Sequence, residues 1–325
     1  MEKDYLSKQV TDGVKGYLCL CILAHHIQLF SGVFSNTYLG HFLNRLGGWG
    51  VAVFFFISGY GLFSSYLTKG NEYTRYFLKK RVLPFYLSYW FFVVIYCVIL
   101  LENVTLSVII QSLTFGGTIV SFGWYFQYIG IFYILFFLSF RFFTKKVGIR
   151  VLVVVLFVFS VICFFLNLRY MCAIPFLTGF LLAGKKGTLS KCLKKAWPVL
   201  MLCSFAFFFG IYLLYIYSFI FGRIAINPYL WEIYSTIGDL AVIVFVLCIC
   251  YISRNHSLIV NPVSSLLGRY SMEIYACQGI ILYYFYFLSE KVGIYILVCI
   301  CGTLILAFTL SKLKNIFKNA LIKNS

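Results

Sequence analysis

The sequence predicts an all-α, polytopic membrane protein of about ten transmembrane helices with both termini in the cytoplasm. Three observations carry that expectation. Of the 325 residues 62% are hydrophobic and 11% charged, and the mean hydropathy of +0.94 lies far outside the balance of a water-soluble domain. Apolar runs near the length needed to cross a hydrocarbon core recur along the chain. The basic residues fall in the short stretches between those runs, dense and sparse by turns, which is the pattern that orients a membrane protein.

The same layout removes a competing reading. A net charge of +18, from 27 Lys and Arg against 9 Asp and Glu, resembles the balance of a nucleic-acid binder. Distributed loop by loop, it is explained by topology, and no nucleic-acid partner is expected. The 12 cysteines lie almost entirely in apolar runs. Each C-x-C pair (Cys19/Cys21, Cys248/Cys250, Cys299/Cys301) puts its thiols on roughly opposite helix faces, so neither a disulfide framework nor a zinc site is expected. The N-terminal apolar run is interrupted by His25 and His26 and lacks a small-residue cleavage site, so it reads as a retained first span. No loop is long enough to bury a core of its own, and residues 1–325 read as a single integral-membrane domain.

The first span, 13–32, places Lys15, His25 and His26 in an apolar helix, where ionisable groups are rare and usually face a bundle interior or a water-filled cavity. At about 100° and 1.5 Å per residue, Lys15 and His26 share one face to within roughly 20°, about 16 Å apart. Asp12, Cys19 and Ile22 approach the same stripe, while His25 points about 80–100° away. Two readings fit: a functional stripe, or a snorkelling lysine and a histidine bonded to a neighbouring helix.

The second span, 48–68, opens on Gly47, Gly48 and Gly50 and carries Ser58, Gly59 and Gly61. That small-residue face admits either another helix or a ligand close to the backbone. The basic run from Arg75 to Arg81, with Lys79 and Lys80, enters the third span, 83–101, at Pro84. It is an orientation signal and equally a patch for an anionic ligand. The fourth span, 123–141, begins with Trp124 and Tyr125, which suit an interfacial aromatic belt and also the face of a sugar ring. Spans 149–167 and 170–184 follow, the latter interrupted by Pro175 and read as a broken or re-entrant helix. After 198–220 comes 234–252, with Asp239 well inside it. The ninth, 264–288, is polar in its cytoplasmic half through Arg269, Ser271, Glu273 and Gln278, and Arg269 and Glu273 stand four apart, as a helical ion pair does. The tenth is 292–311.

On this division Lys3, Lys8, the runs within 69–81, 141–150 and 185–195, Arg254 and the C-terminal lysines share one side. Only Arg45, Arg169, Arg223 and Lys291 fall on the other. Adding or dropping one span scrambles that separation. The charge-poor loops 33–46, 102–122 and 221–233 then face outward, and no internal repeat stands out.

Together these residues resemble the membrane-bound acyltransferase 3 family. Its first-helix pattern Asp-x-x-Arg-x10-His is similar to Asp12, Lys15 and His26. Its Phe-Phe-x-x-Ser-Gly resembles Phe55-Phe56-Ile57-Ser58-Gly59, one residue tighter when the nearest Phe is counted. Arg81 to Pro84 resembles its Arg-x-x-Pro, Trp124-Tyr125 its Trp-Tyr, and Gly268, Ser271 and Tyr275 its late Gly-x-x-Ser-x-x-x-Tyr. Three departures stand out. Lys15 replaces the usual Arg, keeping the charge but losing the bidentate fork; Leu78 stands where a further Arg is common, and Gln278 where a late His is often found.

The resemblance implies a multi-pass enzyme of a bacterial plasma membrane, a polysaccharide O-acetyltransferase. It would move an acyl group, most often acetyl, from cytoplasmic acyl-CoA to a hydroxyl of an extracytoplasmic or cell-surface glycan. Acetyl-CoA is then a donor substrate rather than a bound cofactor, no metal is expected, and the partners are acyl-CoA, the glycan or lipid-linked sugar, and the bilayer. Lys15, Arg75, Lys80 and Arg81 would hold the CoA phosphates. His26, with His25 beside it, would act as general base on the sugar hydroxyl or accept the acyl group, a neutral imidazole being needed for either. Ser58 would donate to the oxyanion, and Trp124 and Tyr125 would stack on the acceptor. Two other classes compete: a transporter or flippase of a lipid-linked sugar with the stripe as a relay, and a polysaccharide polymerase, whose long periplasmic loop is missing here.

Overall fold

The computed structural model describes residues 5–100, 104–114, 117–166, 172–254 and 259–323. Among them every regular element is helical. In chain order these are α1 (Lys8–Ser31), α2 (Tyr38–Lys69), α3 (Asn71–Arg75), a π-helical turn (Leu78–Val82), α4 (Leu83–Ile99), α5 (Leu106–Leu113), α6 (Trp124–Arg141), α7 (Lys145–Phe165), α8 (Ala173–Gly184), α9 (Lys186–Tyr215), a second π turn (Ile216–Ile220), α10 (Pro228–Ser253), α11 (Pro262–Arg269), α12 (Ser271–Tyr284), a 3₁₀ turn (Tyr286–Leu288) and α13 (Val292–Lys323). Lys3 and Arg169, both counted for orientation, lie outside the described residues, as do parts of the expected loop 102–122 and the start of the span 170–184.

Among the described residues 7 helices are long and apolar enough to cross a membrane: Lys8–Ser31, Tyr38–Lys69, Leu78–Ile99, Lys145–Phe165, Lys186–Ile220, Tyr229–Ser253 and Val292–Phe317. The other three expected spans are helical but differ in kind. α6 has 18 residues, its first turns made more polar by Trp124, Tyr125, Gln127 and Tyr128. α8 has 12, about 18 Å of rise, well short of a hydrocarbon core. The stretch expected as one span over 264–288 breaks at Tyr270 into α11 and α12.

Helices start where a short polar side chain can cap the first turn, and this moves several expected boundaries. Ser7 accepts from the Val10 N–H, so α1 begins ahead of residue 13. Thr37 Oγ1 accepts from the Gly40 N–H at 3.2 Å, and α2 begins at Tyr38, so the expected outward loop 33–46 is mostly helix. Thr105 caps α5 inside the expected loop 102–122, and Asn227 caps α10, with Pro228 in its first turn, inside 221–233. Hydropathy marks where a helix meets lipid, not where its hydrogen-bond ladder starts. Pro175, expected to interrupt its segment, sits in the first turn of α8, where its missing N–H has no intrahelical partner to lose. That helix runs unbroken to Gly184.

The chain divides into two compact units. The first comprises Met1–Gln28, Gly32–Thr68 and Val153–Arg269. In lipid an apolar side chain gains little by moving into protein, so helices are held by close contact at small residues. α2 and α8 cross at a reciprocal glycine pair: a Cβ on Gly59 would stand 2.0 Å from the Phe176 carbonyl oxygen, and one on Gly179 2.0 Å from that of Phe56. α1 meets α11 and the residues leading into it in the same manner. Gly16 lies against the Ser264 carbonyl and Gly268 against that of Asp12, where a Cβ would come within 2.1 and 1.7 Å. Gly59 is thus a helix contact, whereas Gly48 and Gly61 face open space.

The second unit is Leu29–Ser31, Lys69–Leu152 and Tyr270–Ser325. Phe77, Phe126, Phe132 and Phe136 are fully buried in it, with the Phe77 and Phe136 ring centroids 5.5 Å apart. Glu273 on α12 forms a buried ion pair with Lys314 on α13, and the Ser311 hydroxyl donates to the same carboxylate oxygen at 3.5 Å. Glu273 pairs with Lys314 rather than with Arg269 as expected. The break at Tyr270 falls between the two residues and destroys the four-residue register that the pairing assumed.

Candidate functional site

His26 on α1 is 7% exposed, turned into the protein and not toward its periphery. His25 is half-buried beside it, the ring centroids 4.8 Å apart. The His25 ring packs against Gly47 of α2, where a Cβ would stand 2.2 Å from its Cδ2, and Ile22 packs on Gly50 in the same manner at 2.9 Å. The His25 imidazole also bonds the main chain of Leu43 and Asn44. These contacts set α1 and α2 antiparallel, with His25 level with Gly47 and Ile22 with Gly50. At the other end of the stripe Lys15 pairs with Asp12, Nζ to Oδ1 3.5 Å, both partly shielded from solvent. Ser58 lies about 16 Å beyond Gly47 along α2. The histidine end of α1 is therefore not its level; the Lys15 end is.

In the second unit the basic run is shaped by Pro84. Proline has no N–H for the carbonyl four residues back and its ring crowds that carbonyl. The helix relieves this with the π turn Leu78–Val82, closed by Leu83 N–H to the Leu78 carbonyl. Bulges of this kind are frequent at functional sites. Arg75 and Lys80 are exposed and both approach the Tyr76 ring, Cζ at 5.5 Å and Nζ at 4.8 Å from its centroid. Arg81 bonds Tyr133 instead, its Cζ 5.7 Å from the ring centroid.

Trp124 and Tyr125 open α6, half-buried, after a turn in which Phe122 has φ 62°. That left-handed backbone is costly for an aromatic residue and needs outside support. Tyr275 on α12 supplies it: its hydroxyl donates to the Phe122 carbonyl at 2.9 Å, and its ring sits 5.5 Å from Tyr125 and 5.4 Å from Phe126, centroid to centroid. Trp124 stands edge-on to Tyr128 at 6.0 Å.

A family model described as acyltransferase domain, of the Acyl_transf_3 type, matches residues 11–312. The chain belongs to the acyltransferase 3 family. No curated protein and no solved structure matches it significantly. Membership makes the chain an acyltransferase, and its apolar helices make it a multi-pass membrane protein.

For an acyltransferase 3 protein the arrangement has three parts. In the first unit one helix bears an acid-steadied cation and a buried imidazole. In the second, Lys80 and Arg81 lie within a π turn with Arg75 just ahead of it, and separately an aromatic pair is locked to the late tyrosine. Two of these links were not assigned from sequence. Asp12 reads in the sequence as a stripe and pattern residue but not as the partner of Lys15, although its i,i+3 spacing signals the pair. Tyr275 was read only as the end of a motif, and nothing local connects it to Phe122. Among the described residues no cluster of His, Cys, Asp and Glu could hold a metal ion.

Proposed function

We propose that this acyltransferase carries an acetyl group from cytoplasmic acetyl-CoA to a hydroxyl of an extracytoplasmic or cell-surface glycan, working as an O-acetyltransferase of a bacterial plasma membrane. On this reading both termini lie on the cytoplasmic side, with the basic stretches 69–81, 141–150 and 185–195. The observation that supports this reading most is the α1 stripe, with Lys15 and Asp12 paired at one end and His26 buried at the other. Their separation of about 16 Å is comparable to an extended pantetheine arm.

Lys15 takes a phosphate of CoA through its N–H donors, and Asp12 positions the ammonium. Arg75, Lys80 and Arg81 are assigned ligands of the same chemistry, anionic phosphates, which guanidinium and ammonium groups bind by charge-assisted hydrogen bonds. The thioester lies toward His26. The imidazole accepts the proton of the acceptor hydroxyl as its oxygen attacks the thioester carbonyl. The C–S bond then breaks, and the imidazolium returns the proton to the departing thiolate. His25, fixed on Gly47 and the α2 main chain, positions α1 at that depth. Ser58 is assigned to the donor side, since its level on α2 is that of Lys15. Trp124 and Tyr125 offer aromatic faces to the glycan.

Purified protein in detergent tests the reading. It should bind acetyl-CoA and hydrolyse it slowly without acceptor, and faster with acceptor glycan. A flippase of a lipid-linked sugar has no use for acetyl-CoA, so the absence of both binding and turnover would favour that alternative.

A further inference from the structure

A second cluster in the first unit, at the histidine end of α1, has no part in the chemistry above. Arg45 of α2 stands two residues before Gly47, where His25 rests, and its charge acts on His25. Its guanidinium donates to Ser235 Oγ at 2.8 Å and lies 5.6 Å from the Tyr215 ring centroid and 5.4 Å from that of Trp231. Those two rings are themselves 5.4 Å apart. Glu232 and Asp239 lie on the same helix, α10, and Arg45 and Glu232 both act electrostatically on Asp239. All six residues are half-buried, and the Asp239 carboxyl lies deep.

The chemistry of this group is selective. One guanidinium against two carboxylates leaves no excess of positive charge, so the cluster does not suit a phosphate or another anion. Arg45 has N–H donors beyond the one given to Ser235, the carboxylates and Ser235 are acceptors, and Trp231 and Tyr215, which pack against Phe219 on one side, supply apolar rings with polar edges. Donors and acceptors in one rim around aromatic faces are what a neutral, hydroxyl-rich ring requires, since its C–H face stacks while its hydroxyls both donate and accept.

We propose that Arg45, Tyr215, Trp231, Glu232, Ser235 and Asp239 seat a sugar ring of the acceptor at the histidine end of α1. This rests on the acyl-transfer reading only for the word acceptor; the seat itself is a carbohydrate site whether or not transfer follows. Lys15 and the donor's phosphates belong to the opposite end of the same helix, so the two substrates approach His26 from opposite ends of α1.

The test uses the full chain in detergent, with oligosaccharides released by mild acid from the envelope glycan of the producing cell as probe. Trp231→Leu and Glu232→Gln should each raise the KM for the oligosaccharide about tenfold, the loss of roughly one good contact, while the KM for acetyl-CoA moves far less. Tyr234→Leu, an exposed aromatic on the same helix outside the cluster, should leave both constants unchanged. Equal losses in Tyr234→Leu and Trp231→Leu would mean interfacial anchoring and overturn the proposal, as would an unchanged oligosaccharide KM in Trp231→Leu. Should the wild type turn over no acetyl-CoA, the transfer reading fails while the seat is still read by tryptophan fluorescence. A saturable change on adding the oligosaccharide, lost in Trp231→Leu, upholds the seat, and no change in the wild type refutes it.

Discussion

Lys15 stands one turn from Asp12 with 3.5 Å between their charged atoms, and that pair decides what a substitution does there. Arginine keeps the charge and the acid partner, so Lys15→Arg should retain most acetyl transfer. Lys15→Ala should raise the KM for acetyl-CoA by about tenfold or more, the loss of one charge-assisted contact. Steady-state kinetics on both variants checks this, and equal losses would mean that Lys15 does not hold the donor. Which histidine shares the lysine's face was legible from the helical turn angle alone, and His26 is indeed the buried one. The seat of His25 was not, because it depends on Gly47 of another helix. Glycine at that position is visible in the sequence, but the ring that fills its place is not.

The helices of the first unit are held by backbone contact at glycines, so the smallest substitution is the most telling. Gly59→Ala or Gly179→Ala drives a methyl into a carbonyl of the partner helix and should destabilise by about 1–3 kcal/mol, the usual range for overpacking. Gly61→Ala on the same helix meets open space and should be neutral; thermal unfolding in detergent compares the three. In the second unit Glu273→Gln or Lys314→Met leaves one member of a buried ion pair uncompensated, at a cost of about 3–5 kcal/mol. The double variant should recover much of that loss, whereas additive losses would mean that the two residues act independently. Periodicity and hydropathy located the long apolar helices well, but not α5, which lies in an expected loop. They failed at helix ends, as at Thr37 and Asn227, because capping depends on one side chain rather than on a stretch. They failed also at Tyr270, where the chain passes from one unit to the other.

At the scale of the whole molecule, topology follows from where the charges lie. Basic residues crowd the stretches 69–81, 141–150 and 185–195, and a cytoplasmic location of all three, with both termini, is the arrangement that the positive-inside rule selects. Single cysteines introduced at Asn71, Thr144 and Gly187 in a cysteine-free background should be shielded from an impermeant thiol reagent in intact cells, while one at Arg223 should be labelled. Labelling of Thr144 but not of Asn71 would require a different number of crossings between them.

The most direct measurement is acetyl transfer from radiolabelled acetyl-CoA to the surface glycan by purified wild type, His25→Ala and His26→Ala, each first shown to be inserted and folded. His26→Ala should transfer nothing above background while still binding acetyl-CoA, and His25→Ala should keep part of the rate. Near-normal transfer by His26→Ala would remove that imidazole from the chemistry.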